Sequence, residues 1–321
     1  MRKIPIGEAS LLPPRTGVYL FSDRHGNVLY VGKANDLRRR VAQHVRQGRG
    51  DAARNAEQTQ RERTLMAATQ DVTWLAAGTE LEALLLEDNL IKTHRPSYNR
   101  KQNKLACQVY LNLSSDGGSH TARITDHPAA SHSYGPFFDR YYAQRLVAVL
   151  DERFGIWPPA GGGLRGKAPD VAGAERFLLG HDDGLTVALR EEIKRLAADL
   201  EFERAARIRD QLSFCGSFLR RQAFVRSFTI GTLVVSESRP PKIEHYLFER
   251  GRLVARSNRV VPEWWAGKAG CPDPGPPEPQ WLLFERALVV YTWLNTGSSR
   301  KSVWIPGADG SSGSLSTLPL P

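Results

Sequence analysis

The stretch TGVYLFSDRHGNVLYVGKAND, residues 16–36, decides the reading of this chain. Two short apolar runs, 17–21 and 28–32, flank SDRHGN, a polar turn with Gly and Asn that suits a hairpin. Each run carries a tyrosine near a glycine, Tyr19 after Gly17 and Tyr30 before Gly32, and Lys33 follows directly. Phe or Val would pack a hairpin equally well, so the two hydroxyls ask for a chemical reason. Alternation puts Gly17, Tyr19 and Phe21 on one face of the first strand, and Val28, Tyr30 and Gly32 on one face of the second. Glycines beside the rings leave room for something bulky, such as a phosphate backbone, to approach.

Outward from the hairpin, residues 11–104 read as one α/β unit. A basic helix from Asp36 to about Val45 carries Arg38, Arg39 and Arg40, and a charged helical segment lies within 50–70. DVTWLAA, 71–77, predicts a third strand. Thr79 then opens a helix through Lys92, with Glu82 spaced for a capping box. On that helix Glu82, Asp88, Asn89 and Lys92 share a polar arc. Glu87 projects to the opposite side, among Ala83, Leu84, Leu90 and Ile91. A carboxylate on an apolar arc is costly without a cation or hydrogen bonds. Two partners stay open for it, an arginine in a buried ion pair or a divalent metal such as Mg²⁺, which often takes only one or two carboxylates plus waters.

Farther along, 105–155 predicts a connecting α/β segment with a strand in ACQVYLNL and a helix over RYYAQRLVAVLDERF. WPPAGGGLRGKAP, 157–169, marks a flexible linker assigned to 156–185. Leu189, Ile193, Leu196 and Leu200 repeat at helical spacing, LEFER interrupts them and AARIRDQL resumes, which predicts a helical hairpin over 186–221. A β-rich region of unassigned role follows at 222–308, with a hairpin around Gly251 and a helix over QWLLFERALVVYTWL, and a tail at 309–321 predicted to be disordered. The fold class is therefore α+β: a small antiparallel sheet flanked by helices, an α-helical hairpin and a small β-rich C-terminal region.

Bulk properties narrow the function classes. The net charge is +10, and residues 1–104 hold 18 Lys and Arg against 11 Asp and Glu. A polyanionic partner is the natural inference. Cys107, Cys215 and Cys271 lie far apart and never as CxxC, which argues against a disulfide framework or a cysteine metal cluster and fits a reducing cytoplasm. No apolar run approaches the ~20 residues of a membrane span, and MRKIPIGEAS lacks the apolar region of a signal peptide.

In order, GVY at 17–19, YVG at 30–32, Lys33, Arg40, Glu87 and YN at 98–99 resemble the motif set of the GIY-YIG nuclease family, with Val for Ile in both tripeptides. The likeness extends to UvrC, the bacterial nucleotide-excision-repair subunit that cuts on the 3′ side of a lesion. LPPRTGVYLF, LYVGKANDLRRRV, EALLLEDNLIKTHRPSYN and YGPF at 134–137 are similar to its N-terminal endonuclease half. LREEIKRLAADLEFERAARIRDQL, 189–212, looks like the UVR motif through which UvrC meets UvrB. UvrC continues into an RNase H-like domain and helix-hairpin-helix repeats. Past residue 213, however, the only aspartates here are Asp273 and Asp309, in Pro- or Gly-rich stretches. The build is similar to Cho, the UvrC-like protein that makes one 3′ incision.

The resemblance implies a catalytic set of Tyr19, Tyr30, Lys33, Arg40, Glu87 and Asn99, with Glu87 holding one Mg²⁺ or Mn²⁺ ion. Tyr30, or else Tyr19, would take a proton from water, with Lys33 and Arg40 lowering a tyrosine pKa of ~10. Arg38, Arg39, Arg95, Arg100, Lys101 and Lys104 would bind neighbouring phosphates, a solvated basic face being the alternative. Phe202 and Glu203 would meet UvrB at the hairpin turn. The cysteine-rich segment common in UvrC is replaced by the Gly/Pro stretch, so no iron–sulfur cluster is expected. The implied function is a single-incision endonuclease on damaged double-stranded DNA, recruited by UvrB, monomeric, and nucleoid-associated in a bacterial cytoplasm. A non-catalytic adaptor that binds UvrB or DNA and regulates repair is the rival.

Overall fold

The computed structural model describes residues 1–49, 56–99, 109–116, 119–127, 129, 131–137, 139–156, 168–181, 183–239, 242–258, 280–296 and 300–305. They fall into two compact units, one of Met1–Ala106 with Glu237–Glu244 and one of the remainder.

In the first unit the hairpin residues form β2 (Gly17–Ser22) and β3 (Val28–Ala34), paired antiparallel. A third strand, β4 (Asp71–Ala76), pairs with β2 on its other side, and β1 (Arg2–Pro5) pairs with β4. The sheet order is β1-β4-β2-β3, which leaves β3 at an edge. Three helices cover the sheet: α1 (Leu37–Arg49), α2 (Ala56–Ala68) and α3 (Glu80–His94). The strand alternation sorts the core into two layers. Val18, Leu20 and Val31 face α3, packing with Ala83, Leu90 and Ile91. Tyr19, Phe21 and Tyr30 lie on the other side with Leu37 and Val41 of α1 and Leu65 of α2. Each aliphatic side chain so buried contributes roughly 1.5–3 kcal/mol. The N-terminus of α3 is fixed by Thr79, whose hydroxyl accepts from the Glu82 amide at 3.2 Å, while the Glu82 carboxylate accepts from the Gly78 amide at 2.6 Å. The β1 pairing escapes a sequence reading because RKIP has no alternation to announce a strand.

The second unit starts with a three-stranded sheet, order β6-β5-β7, of β5 (Val109–Asp116), β6 (Ser119–Thr125) and β7 (Ser133–Phe137). Helix α4 (Arg140–Phe154) coincides with the predicted RYYAQRLVAVLDERF. Within the predicted linker the chain forms α5 (Val171–Leu178), with Asp170 accepting from the Gly173 amide at 2.8 Å and Phe177 fully buried. Helices α6 (Gly184–Ala198) and α7 (Phe202–Ile230) make the hairpin, turned by Leu200 at φ 58°. Helix α7 runs past the predicted limit because Phe214, Phe218, Phe224 and Phe228 keep an apolar stripe buried along it. The C-terminal strands β8 (Thr232–Arg239), β9 (Lys242–Glu249), β10 (Arg252–Ser257) and β11 (Arg300–Ile305) form a sheet in the order β10-β9-β8-β11, accompanied by α8 (Gln280–Leu294). Arg250 and Gly251, both at positive φ, turn β9 into β10 as the sequence anticipated. The tail at 309–321 lies outside the described residues. No helix among the described residues is long and apolar enough to cross a membrane.

Candidate active site

The open edge of β3 organises the site. Its outward backbone groups are met one after another by side chains and by the 98–99 segment. Leu29 O accepts from the Tyr98 amide at 3.0 Å. The Asn99 side chain clamps Val31, accepting from its amide at 2.8 Å and donating to its carbonyl at 2.7 Å. Next, the Lys33 amide donates to Glu87 Oε1 at 3.0 Å. Asn99 is buried and thus holds the edge strand that carries the tyrosines, a cover that also prevents pairing with a foreign strand.

Glu87 reaches this edge from α3. Burial raises its carboxyl from 4.5 to about 7, against the lowering effect of the Lys33 amide and ammonium. Of its two sequence-level partners, no arginine ion pair forms among the described residues, and the contact is with an edge amide. From the opposite face come the hydroxyls. Register pairs Tyr19 with Gly32 and Phe21 with Tyr30, so the Tyr19 ring lies over the glycine. A Cβ at Gly32 would stand 2.5 Å from Tyr19 Oη and 2.8 Å from Tyr30 Cε1. One at Gly17 would stand 2.2 Å from the Leu75 carbonyl. The space beside these glycines is therefore taken by the tyrosine ring and by β4, not left for a phosphate backbone. Tyr19 is fully buried, whereas Tyr30 is only partly buried, so Tyr30 is the hydroxyl nearer water.

Both phenols are raised above their ordinary value. Burial is the first cause for each; Tyr30 adds to it for Tyr19, and the Glu87 carboxylate for Tyr30. Arg40 of α1 opposes the rise in both and is held by Gln43 Oε1 at 2.9 Å. Lys33 does not share that role. Its position has the opposite parity to Tyr30 and Gly32, so its ammonium crosses to α3 and pairs with Glu80 at 3.0 Å. The structure thus brings together Tyr19, Tyr30, Arg40 and Glu87, with Lys33 and Asn99 acting through the β3 backbone. Arg38 and Arg39 are exposed on α1, with Arg38 Nε bonded to the Leu12 carbonyl at 2.7 Å. Arg95 is exposed at the C-terminus of α3 at φ 47°. Arg100, Lys101 and Lys104 lie outside the described residues.

Residues 15–100 match the family described as UvrC-like GIY-YIG domain, and residues 184–214 match the UvrB/UvrC motif. The chain carries a UvrC-like GIY-YIG domain and a UVR motif. It is homologous to the N-terminal half of UvrC. The UvrABC system protein C of Methanothermobacter thermautotrophicus is 29% identical over 66% of this chain and 38% of its own length. That of Desulforudis audaxviator is 30% identical over 69% of this chain and 39% of its own. The chain therefore spans less than half the length of these curated relatives. Among solved structures, the magnesium-bound GIY-YIG N-terminal endonuclease domain of UvrC from Thermotoga maritima is 29% identical over 29% of this chain and 92% of that one, at a TM-score of 0.24.

Within the UVR motif, Leu189 and Leu196 are buried, while Leu200 and Phe202 at the turn are 72% and 64% exposed, with Glu203 exposed beside them. The motif is fastened at its base. Arg153 of α4 donates to Glu192 Oε2 at 2.7 Å and to Gln211 Oε1 at 2.8 Å. Its apolar face joins the α4 and α5 core through Leu189, Phe214 and Phe218. The apolar tip is thereby presented on a braced support.

Two residues of the GIY-YIG domain were missed from sequence. His44 of α1 lies directly behind Tyr19, and Glu62 of α2 is bonded to the far side of the His44 ring. A signal for His44 existed, since it follows Arg40 by one helical turn and so shares its face. None existed for Glu62, because its place depends on how α2 packs against α1.

Proposed function

We propose that this chain is a metal-dependent DNA endonuclease that hydrolyses one phosphodiester bond on the 3′ side of a lesion in nucleotide excision repair, recruited by UvrB in a bacterial cytoplasm. The observation that carries this reading is the convergence of the Glu87 carboxylate, two phenols and the Arg40 guanidinium at the β3 edge. The donor set suits one Mg²⁺ or Mn²⁺ ion. Glu87 is a carboxylate whose burial disfavours its charge unless a cation offsets it, and a single carboxylate with waters is a common Mg²⁺ arrangement. No group of three or more His, Cys, Asp or Glu that could hold a metal occurs among the described residues. Once bound on Glu87, the ion would supply Lewis-acid charge to the phosphate and the leaving 3′-oxygen.

The remaining steps belong to side chains. As its phenolate, which the Arg40 guanidinium favours against burial, Tyr30, the more exposed of the two, takes a proton from the attacking water, and Tyr19 supports it from behind. Arg40 fixes and neutralises the scissile phosphate. Arg38, Arg39 and Arg95 hold neighbouring phosphates without reading sequence. Phe202 and Glu203 dock on UvrB. A nicking assay on duplex carrying one lesion, with and without UvrB and with Mg²⁺ or chelator, tests the reading. Metal-dependent cutting at one position 3′ to the lesion supports it. Failure to cut in every condition, with UvrB binding retained, would favour the non-catalytic adaptor.

A further inference from the structure

The sheet edges of this chain are not all finished in the same way. At β3 the edge is covered by Tyr98, Asn99 and Glu87. In the three-stranded sheet, β7 is an irregular edge, with Gly135 at φ 131° and a break in register at Val109 and Leu111 of its partner strand. The other edge, β6, has neither device. It pairs with β5 in unbroken register, from Thr125 opposite Tyr110 to Ser119 opposite Asp116, and no strand lies beyond it among the described residues. The Leu113 amide donates to the His132 carbonyl, just ahead of β7, at 3.0 Å, so the polar groups of Leu113 point away from β6. Its partner Ala122 therefore turns its own N–H and C=O to the open side, and alternation gives His120 and Ile124 the same direction. A regular edge with outward donors and acceptors is a template for another strand.

Beside this edge runs a groove of about 520 Å³. Ala122 and Ile124 line one wall, and Arg140, Val147, Ala148 and Asp151, a stripe along α4, line the other. The middle of the groove is apolar and its ends carry opposite charge. Arg140 is exposed, 3.6 Å from an equally exposed Asp126. Asp151 Oδ1 is buried and accepts no hydrogen bond among the described residues, so it calls for a donor. Because Arg140 meets Asp126 just past the end of β6, α4 runs back along the strand. A two-fold axis normal to the sheet reverses strand and helix together. Two copies of β6 then pair antiparallel, and the Arg140 end of one groove comes to the Asp151 end of the other. Arg123 cannot lie on that axis, where like charges would face each other, but Ala122 or Ile124 can.

We infer that β6 pairs with β6 of a second copy, with Arg140 of each copy reaching Asp151 of the other, so that the chain forms a two-fold dimer in place of the monomer expected from the resemblance. A foreign strand would have to bring an acid to one end of the groove and a base to the other, whereas a second copy brings both. The interface uses no residue of the candidate active site and none of the exposed UVR tip, and it stands independently of the nuclease reading.

Sedimentation equilibrium on the full chain tests this. The wild type should pass from monomer to dimer as its concentration rises toward about 100 µM, a range suited to a small interface. Ile124→Pro removes an outward N–H and spares the ladder with β5, and should weaken association by about 10-fold or more. Arg140→Glu and Asp151→Arg should each weaken it by about 10-fold, since each sets like charges together at both ends of the interface. An equimolar mixture of these two charge variants should regain wild-type association. In the mixed dimer the introduced acid meets the introduced base, and the native Arg140 meets the native Asp151. An effect confined within one chain could not be restored by mixing. A wild type that stays monomeric throughout the range overturns the inference. So does a dimer that none of the three substitutions weakens while circular dichroism shows them folded, or a mixture of weakened charge variants that regains nothing.

Discussion

Gly32 shows how finely single residues set this site. Tyr19 lies across it from the neighbouring strand, and any Cβ there would meet the phenol at 2.5 Å. Gly32→Ala should destabilise the protein by about 1–3 kcal/mol, the usual range for overpacking, measured by denaturant unfolding. Glu87 is set by burial in the opposite sense to an ion-paired carboxylate. With a folded value of about 7 against 4.5, the folded state holds its proton where the unfolded state has lost it. The associated stability is complete below pH 4.5 and is lost as pH rises through 7. In metal-free buffer, Glu87→Gln should therefore raise Tm relative to wild type at pH 8 and make little difference at pH 4. Equal Tm differences at both values would contradict the buried-carboxylate account. The sequence made Glu87 conspicuous because a carboxylate interrupts an apolar arc. The parity that turns Lys33 away from the tyrosines was equally legible, since alternation alone places it opposite Tyr30.

At the scale of elements, edge strand β3 and the UVR hairpin are each built to present something. Asn99, Tyr98 and Glu87 occupy the β3 edge, so a strand that would otherwise invite pairing becomes a support for the hydroxyls. The UVR hairpin buries Leu189 and Leu196 and leaves Phe202 outside at 64% exposure. Phe202→Ala should accordingly leave stability within about 0.5 kcal/mol of wild type while weakening UvrB association in a pull-down. Unchanged capture would remove the docking role. Helices α3, α4 and α8 and strands β2–β4 were readable because caps and periodicity are local. Strand β1, helix α5 and the far end of α7 were not, since each is stabilised by partners distant in sequence. The same reason hid Glu62, whose contact with His44 exists only once α1 and α2 pack.

For the whole molecule, a compact GIY-YIG unit precedes a second unit in which the UVR hairpin shares a core with α4 and α5. The net charge of +10, concentrated in the first third of the sequence, suits a polyanion at the unit that bears the site. Over less than half the length of its relatives, the chain retains both the constellation at the β3 edge and an exposed apolar UVR tip. Nuclease and recruitment functions in one chain would give that combination. The most direct measurement compares wild type and Glu87→Gln for nicking of a single-lesion duplex in Mg²⁺. The wild type should cut once on the 3′ side, with no cutting by the folded variant. Equal cutting by both would contradict the assignment of Glu87, and with it the account of this edge as an active site.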